Sequence, residues 1–262
     1  MAQKRILITG AGSGFGREAA LRLAAKGHQV IASVQIVPQI TELRAEAARR
    51  GVTLDVVKLD VTSARDRAQA AHWDIDVLLN NAGAGEAGAL VDLPVDIVRE
   101  LFETNVFGPL ELTQQIARAM IARQRGKIVF VSSIAGLITG AYTGAYCASK
   151  HALESVAEAM HQELASHGIQ IAIVNPGPYN TGFNDRMVET PSRWLDPARD
   201  VATPAQLKFP LDQFDPEEMI EKIVEVTESD GGLLRNLLPA AIEQFVRDEQ
   251  AHAWTRRQNG EA

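Results

Sequence analysis

The sequence predicts an α/β protein, a doubly wound parallel sheet with helices on both faces, and three observations predict it. Short apolar runs alternate with helix-spaced segments along most of the chain. The runs are apolar at consecutive positions, as strands buried on both faces require. The connections between them are long enough for the right-handed helical crossovers that parallel strands need. A three-layer α/β/α arrangement follows. With 262 residues the chain buries a sizeable core as one large domain.

The elements read off in order. "RILIT" (5–9) is a strand ended by Gly10, and "GREAALRLAAKG" (16–27) a helix that stops at Gly27. "QVIASV" (29–34) is a strand. "PQITELRAEAARRG" (38–51) begins on Pro38 and ends on Gly51, the usual punctuation of a helix. "TLDVVKL" (53–59) is a strand followed by a short helix near 63–72. "IDVLLN" (75–80) and "GKIVFVS" (126–132) are strands separated by a helical region from Pro94 to about 124. A further helix runs to His167, and "IQIAIVN" (169–175) is the next strand. Seven prolines, from Pro176 to Pro216, then interrupt the pattern, and a break this long inside a domain is often a lid or binding loop. A lid over about 177–216 is expected. "DPEEMIEKIVEVTES" (215–229) is a helix, "LLRNLLP" (233–239) a last strand, and 240–257 a last helix. No internal repeat or low-complexity stretch is present.

Composition excludes several roles. Apolar residues make 46% and charged residues 23%, an ordinary globular mix. A net charge of −7 argues against nucleic acid as the main partner, which needs a basic face. Arg49 and Arg50 are the densest internal basic pair and read as a solvated helix end. Cys147 is the one cysteine, so no internal disulfide forms, and a cytoplasmic setting fits. The N-terminus lacks the apolar core of a signal peptide, and no run of about 18 apolar residues predicts a membrane span. The six histidines form no ligand set such as H-x-x-x-H, so no metal is expected.

"TGAGSGFG" (9–16) follows the first strand and opens the first helix. It departs from G-x-G-x-x-G. Glycines there still let the backbone approach a pyrophosphate, whose charge the helix N-terminus favours. An acidic residue at the end of the second strand would hold the ribose 2′-hydroxyl of NAD. "ASVQIVPQ" (32–39) has no charged residue, and Val34 and Gln35 occupy the likely positions. Repulsion of a 2′-phosphate is therefore absent, and so is a cation to attract one. The reading is NAD(P), with a slight lean to NADP.

"YCASK" (146–150) sets Tyr146 and Lys150 at i and i+4, on one helix face. By itself such a pair is more often structural. Its meaning changes with Ser133, thirteen positions before Tyr146, with "NNAG" (80–83), and with "NPGPYNT" (175–181). Ser132 competes with Ser133, but strand alternation lets only one face the site, and the spacing selects Ser133. Together with T-G-x-x-x-G-x-G at 9–16, these motifs resemble those of the short-chain dehydrogenases/reductases. The similarity covers about residues 4–182.

The resemblance implies a Rossmann-type fold with about seven parallel strands, hydride transfer between NAD(P) and an alcohol or carbonyl, and a homodimer or homotetramer. It implies that Gly10, Ser13, Gly14, Phe15 and Gly16 form the pyrophosphate turn, and that Asp60 and Val61 meet the adenine. Gln35, Asn81, Gly83, Pro176, Gly177 and Thr181 would lie along the cofactor, with Thr181 near the carboxamide. Asn105, in "TNVFG", matches the active-site asparagine, and Ser133, Tyr146 and Lys150 the catalytic trio. The helix between "LDVT" and "IDVLLNNAG" is shorter than usual.

The chemistry fits those residue types. Reducing a carbonyl needs a proton donor at the oxygen, and a free phenol, with a pKa of about 10, is a poor one near neutrality. A nearby ammonium lowers that pKa, and the oxidised nicotinamide's charge adds to it. Lys150 is expected to do the first, and also to reach the nicotinamide ribose. Ser133 would donate to the reacting oxygen. Asn105 would hold a water joining Lys150 to solvent. Leu137, Tyr142, Tyr179 and Phe183 are candidate substrate walls and suggest a fairly apolar small-molecule alcohol or ketone. Tyr179, Phe183, Met187 and Trp194 either line that pocket or anchor the loop. Cys147 lacks a histidine partner and reads as buried packing. Two other functions stay open: a non-catalytic NAD(P)-sensing regulator, and a lyase or dehalogenase relative that uses the tyrosine without hydride transfer.

Overall fold

Ile6 and Ile8 face one side of the first strand and Leu7 the other, each fully buried. Residues at period two on a strand point to opposite faces, so this one strand already needs a layer on each side. The computed structural model describes residues 2–209 and 211–258. Its strands are β1 (Arg5–Ile8), β2 (Gln29–Val34), β3 (Asp55–Lys58), β4 (Val77–Asn80), β5 (Gly126–Val131), β6 (Ile169–Pro176) and β7 (Arg235–Leu238). They form one seven-stranded parallel sheet in the order β3-β2-β1-β4-β5-β6-β7.

Nine α-helices are present among the described residues. They are α1 (Gly14–Ala25), α2 (Val37–Arg49), α3 (Ala64–Ala70), α4 (Val95–Phe102), α5 (Gly108–Ala122), α6 (Gly144–Leu164), α7 (Phe183–Glu189), α8 (Glu217–Glu228) and α9 (Ala240–His252). Leu21 and Leu23 of α1, Leu43 of α2, and Met219 and Ile223 of α8 pack on Ile6, Ile8, Val30, Leu79 and Val174. On the other face, Leu112, Ile116 and Met120 of α5 and Leu153 and Ala157 of α6 cover Leu7, Leu78, Ile128, Phe130 and Ile173. Each such side chain contributes about 1.5–3 kcal/mol by leaving water. This is a single Rossmann-like domain in three layers, as the sequence predicts.

Two departures matter for the site. The helical region after Pro94 is not continuous: a π-helical turn over Glu103–Phe107 joins α4 to α5 and carries Asn105. Such turns admit an extra residue and locally break the hydrogen-bond ladder. The proline-rich segment is also not structureless. It contains α7 and a 3-10 turn, Thr190–Arg193. Seven residues are too few to register as a periodic pattern. The two ends of the segment meet, since Phe214 N donates to Pro178 O at 2.8 Å and Asn180 N to Phe214 O at 2.9 Å.

Candidate active site

The strand order reverses between β1 and β4, and open α/β sheets bind ligands in the crevice at that point, beyond the carboxyl ends of the strands. The turn after β1 sits there. Thr9 Oγ1 accepts from the N–H groups of Asn81 and Ala82, both at 3.0 Å. Asn81 Nδ2 donates back to the carbonyls of Thr9 and Gly10, at 2.9 and 3.2 Å. The end of β4 thereby fixes the shape of the glycine turn. Gly10 has φ +67°, and a Cβ on it would lie 2.7 Å from Ala82 Cα. A Cβ on Gly16 would lie 2.3 Å from Asn81 Nδ2 and 2.6 Å from Gly10 O. Arg17 N bonds Ser13 O, so the N–H groups of Gly14, Phe15 and Gly16 precede the first intrahelical bond of α1.

A continuous cavity of about 1200 Å³ runs from this turn past β4 and β5 to the proline-rich segment and α9. Most residues singled out in the sequence line it: Gly10, Ser13, Gly14, Phe15, Gln35, Asp60, Val61, Asn81, Gly83, Ser133, Tyr142, Tyr146, Lys150, Pro176, Gly177, Tyr179, Thr181 and Phe183. Thr181 stands across from Gly14, whose Cβ would be 3.5 Å from Thr181 Cβ. Asp60 Oδ1 accepts from Thr62 N and Oγ1, which fixes the carboxylate beside Val61. These donors, the cradle that a Cβ would fill and the length of the cavity fit a dinucleotide.

Gly16, Val34, Asn105, Leu137 and Trp194 do not line the cavity. Val34 is fully buried in the core, so only Gln35 of that pair faces a ligand. Leu137 ends the 3-10 turn Ile134–Gly136, and its neighbours Ala135 and Ile138 line the wall instead. The Trp194 ring fills the place a Cβ on Gly88 would take, 2.6 Å away. Its Nε1 donates to the buried Glu86 at 3.3 Å, and Arg193 Nη2 does so at 3.0 Å. Trp194 is therefore an anchor of the segment, while Met187 lines the cavity. Tyr179 lines it in part, with its ring packed on Phe15 and Phe214 and its hydroxyl buried without a partner.

Lys150 and Tyr146 are both buried on one face of α6, 4% and 8% exposed. Lys150 Nζ donates to Val131 O at 3.0 Å and stands 5.9 Å from the Tyr146 ring centre. Ser133, two residues beyond β5, lines the cavity with Tyr146, and its Oγ accepts from Ala135 N at 3.1 Å. Ser132 is buried with no hydrogen-bond partner for its Oγ. Asn105 holds a loop rather than facing the cavity. Its Oδ1 accepts from Ala84 N at 2.8 Å, and its Nδ2 donates to Ala84 O and to Ser149 Oγ, at 2.9 and 3.0 Å.

Depth of burial sets the electrostatics of the pair. Burial dominates at Tyr146 and pushes its phenol up, with Ser133 pulling the other way and the neighbouring Cys147 adding to the rise. Burial likewise pulls Lys150 down to about 8, partly countered by Glu154. A site of low polarity disfavours both charged forms. A charge placed beside the phenol by an oxidised nicotinamide would act in the opposite direction.

Lining residues that escaped the sequence reading include Arg17, Gln39, Glu42, Leu207, Phe245 and Glu249. Arg17, in the first turn of α1, lines the cavity with Gln35, Gln39 and Glu42. Gln39 Oε1 accepts from Gln35 N and Ile36 N, and so fixes the turn beyond β2. Phe245 and Glu249 of α9 form a distant wall, and Leu207 closes another side. Only the position of Arg17 next to the glycine turn offered a signal.

A family model for short chain dehydrogenases matches residues 4–192. Human retinol dehydrogenase 8 is 34% identical over 245 residues, covering 87% of this chain and 79% of its own. A short-chain dehydrogenase from Streptomyces avermitilis superimposes with a TM-score of 0.79 at 29% identity, over 97% of this chain and 95% of that one. A variant of actinorhodin polyketide ketoreductase with NADPH gives 0.74 at 27% identity, over 90% and 95%.

Proposed function

Because the chain belongs to the short-chain dehydrogenase/reductase family and is an NAD(P)-dependent oxidoreductase, we propose that it interconverts an apolar secondary alcohol and its ketone, with NADP preferred. The carrying observation is Tyr146, buried against Lys150 and Ser133 at the far end of a cavity that begins at the glycine turn.

The turn Gly10–Gly16, Asp60, Asn81 and Thr181 would hold the nicotinamide cofactor, whose chemistry when bound would be hydride transfer. Tyr146 gives a proton to the carbonyl oxygen in one direction and takes it in the other. Ser133 donates a hydrogen bond to that oxygen, where negative charge develops. Lys150, bonded to Val131 O, favours the phenolate form while it carries its charge. Asn105 acts on the reaction through the Ala84 backbone it holds. Phe183, Met187, Leu207 and Ile138 give the substrate end an apolar wall, which suits a large apolar alcohol, as the name of the retinol dehydrogenase relative also suggests.

The preference for NADP rests on Arg17 and on Gln35 standing where NAD binders place a carboxylate; the ketoreductase neighbour contains NADPH. The segment from 177 to 216 serves as a lid. A homodimer or homotetramer belongs to the same reading, supported by the exposed Val91 before α4, Val95 at its start and Phe107 at the end of the π-helical turn.

The test is reduction of a panel of bulky apolar ketones by NADPH, with Tyr146→Phe as control. Turnover should fall by about 10²–10⁴-fold in the variant while NADPH still binds. Equal rates in variant and wild type would sink the assignment of Tyr146.

A further inference from the structure

Behind the trio lies a second set of buried polar groups. Glu154 is on α6, four residues beyond Lys150, and is 5% exposed. Its Oε1 accepts from Asn175 Nδ2 at 2.6 Å, and its Oε2 pairs with Arg235 Nη1 of β7 at 2.7 Å. Asn175 is the last residue of β6 before Pro176, and its Nδ2 also donates to Ser133 O at 3.1 Å. A Cβ on Gly136 would meet Ser132 Oγ at 2.7 Å, Glu154 Cγ at 2.9 Å and the Lys150 carbonyl at 3.1 Å. The 3-10 turn after Ser133 is thus seated directly on this part of α6.

We propose that Glu154 is a positioning residue for the reaction, whose carboxylate keeps the Lys150 ammonium charged and fixes Ser133 through Asn175. The proposal rests on the reading of Lys150 and Ser133 given above. Its logic is electrostatic. Around Lys150 stand Tyr146 and Cys147 from its own helix, and neutral groups from Gly83, Asn105 and Val131. Arg235 lies beyond Glu154, and Glu158 pairs with the outer side of Arg235. Among the described residues, Glu154 is the carboxylate whose charge opposes the effect of burial on Lys150.

A buried ion pair is a weak source of stability, and apolar replacements of similar volume are often neutral. What an apolar side chain cannot do here is supply a negative charge one turn from Lys150, or accept from the amide that holds the Ser133 carbonyl. Arg235 opposes that charge from the other side. The two partners therefore push Lys150 in opposite directions.

The experiment measures kcat against pH for wild type, Glu154→Gln and Arg235→Met, with circular dichroism and NADPH affinity as controls. Gln at 154 keeps an acceptor for Asn175 and loses the charge, so the alkaline limb of kcat should move down by about one pH unit. Met at 235 removes the competing cation from the sheet edge, and the limb should move up. A merely structural role would lower activity in either variant without moving the limb. Unshifted limbs in both folded variants overturn the proposal, and so does a shift of the same sign in both. If Glu154→Gln does not fold, the direction of the Arg235→Met shift decides alone. Active wild type, inactive Tyr146→Phe and unshifted limbs would remove only the role of Glu154; indistinguishable wild type and Tyr146→Phe would remove the reading beneath it.

Discussion

The Phe183 ring lies 5.7 Å from the Tyr146 ring, tilted at 49°, so the proline-rich segment packs directly against Tyr146. Phe183 opens α7, and Met187 one turn later is buried against Gly85. The segment therefore closes one side of the cavity over the Tyr146 ring.

Phe183→Ala should act on the substrate and not on the cofactor. Removing a half-buried aromatic face forfeits up to about 1.5–3 kcal/mol of apolar contact once substrate covers it, so kcat/KM for an apolar ketone should fall about tenfold. NADPH affinity, measured by fluorescence titration, should stay within about twofold. An equal loss for a small polar ketone would mean that Phe183 orders the loop without meeting substrate.

Gly16→Val and Gly10→Ala should fail for different reasons. At Gly16 the new side chain runs into Asn81 and the Gly10 carbonyl; at Gly10 it meets Ala82 and requires φ +67° of a residue with a Cβ. Overpacking and a left-handed backbone each cost about 1–3 kcal/mol. Both should lower the thermal midpoint, and both should weaken NADPH binding at least tenfold, on the order of 1.4 kcal/mol.

The strands and the placement of Tyr146 beside Lys150 were readable because they depend on local patterns. "VLLN" and "GKIVFV" are apolar at nearly every position, and burial on both faces follows from that alone. Tyr146 and Lys150 share a face whatever surrounds them. The acidity of that pair was not readable, because its direction depends on depth of burial, which spacing does not encode. Val34 and Trp194 show the same limit: the sequence sets Val34 at a cofactor-selecting position and leaves Trp194 open between pocket and anchor, and packing puts one in the core and the other onto Gly88. Phe245 and Glu249 reach the cavity from α9, more than ninety positions after Lys150, by a topology that only the sheet order reveals.

Arg17 should contribute to cofactor choice. Its side chain is 45% exposed, its ion pair with Glu18 is long at 3.6 Å, and it lines the cavity beside Gln35. A charge-assisted contact to a phosphate contributes about 1.5–3 kcal/mol. Arg17→Leu should therefore weaken NADPH binding about tenfold and leave NADH nearly unchanged. Equal losses for both cofactors would place Arg17 at the pyrophosphate instead.

Lys127 predicts a pH dependence of stability that is independent of catalysis. It is the second residue of β5, at the end of the strand far from the cavity, is 5% exposed, and donates to Ser229 O and Oγ just beyond α8, at 2.9 and 3.2 Å. Burial first, and the Lys4 charge second, pull its pKa from 10.5 down to about 8, against a smaller opposing pull from Asp230. Between these values the unfolded chain binds the proton and the folded protein does not, so the contribution of this group to stability rises with pH. Below about 8 the ammonium is charged in both states and its burial cost is present in full. In Lys127→Met that cost is absent at every pH, as are the two hydrogen bonds to Ser229. The stability of wild type relative to Lys127→Met should therefore increase from pH 8 to pH 10, with a slope of at most about 1.4 kcal/mol per unit. Lys150 titrates in the same window but is common to both proteins and cancels in the difference. Urea denaturation of the pair at pH 7, 8, 9 and 10 measures it; a difference that is flat, or that falls with pH, would show that Lys127 keeps an ordinary pKa in the folded protein.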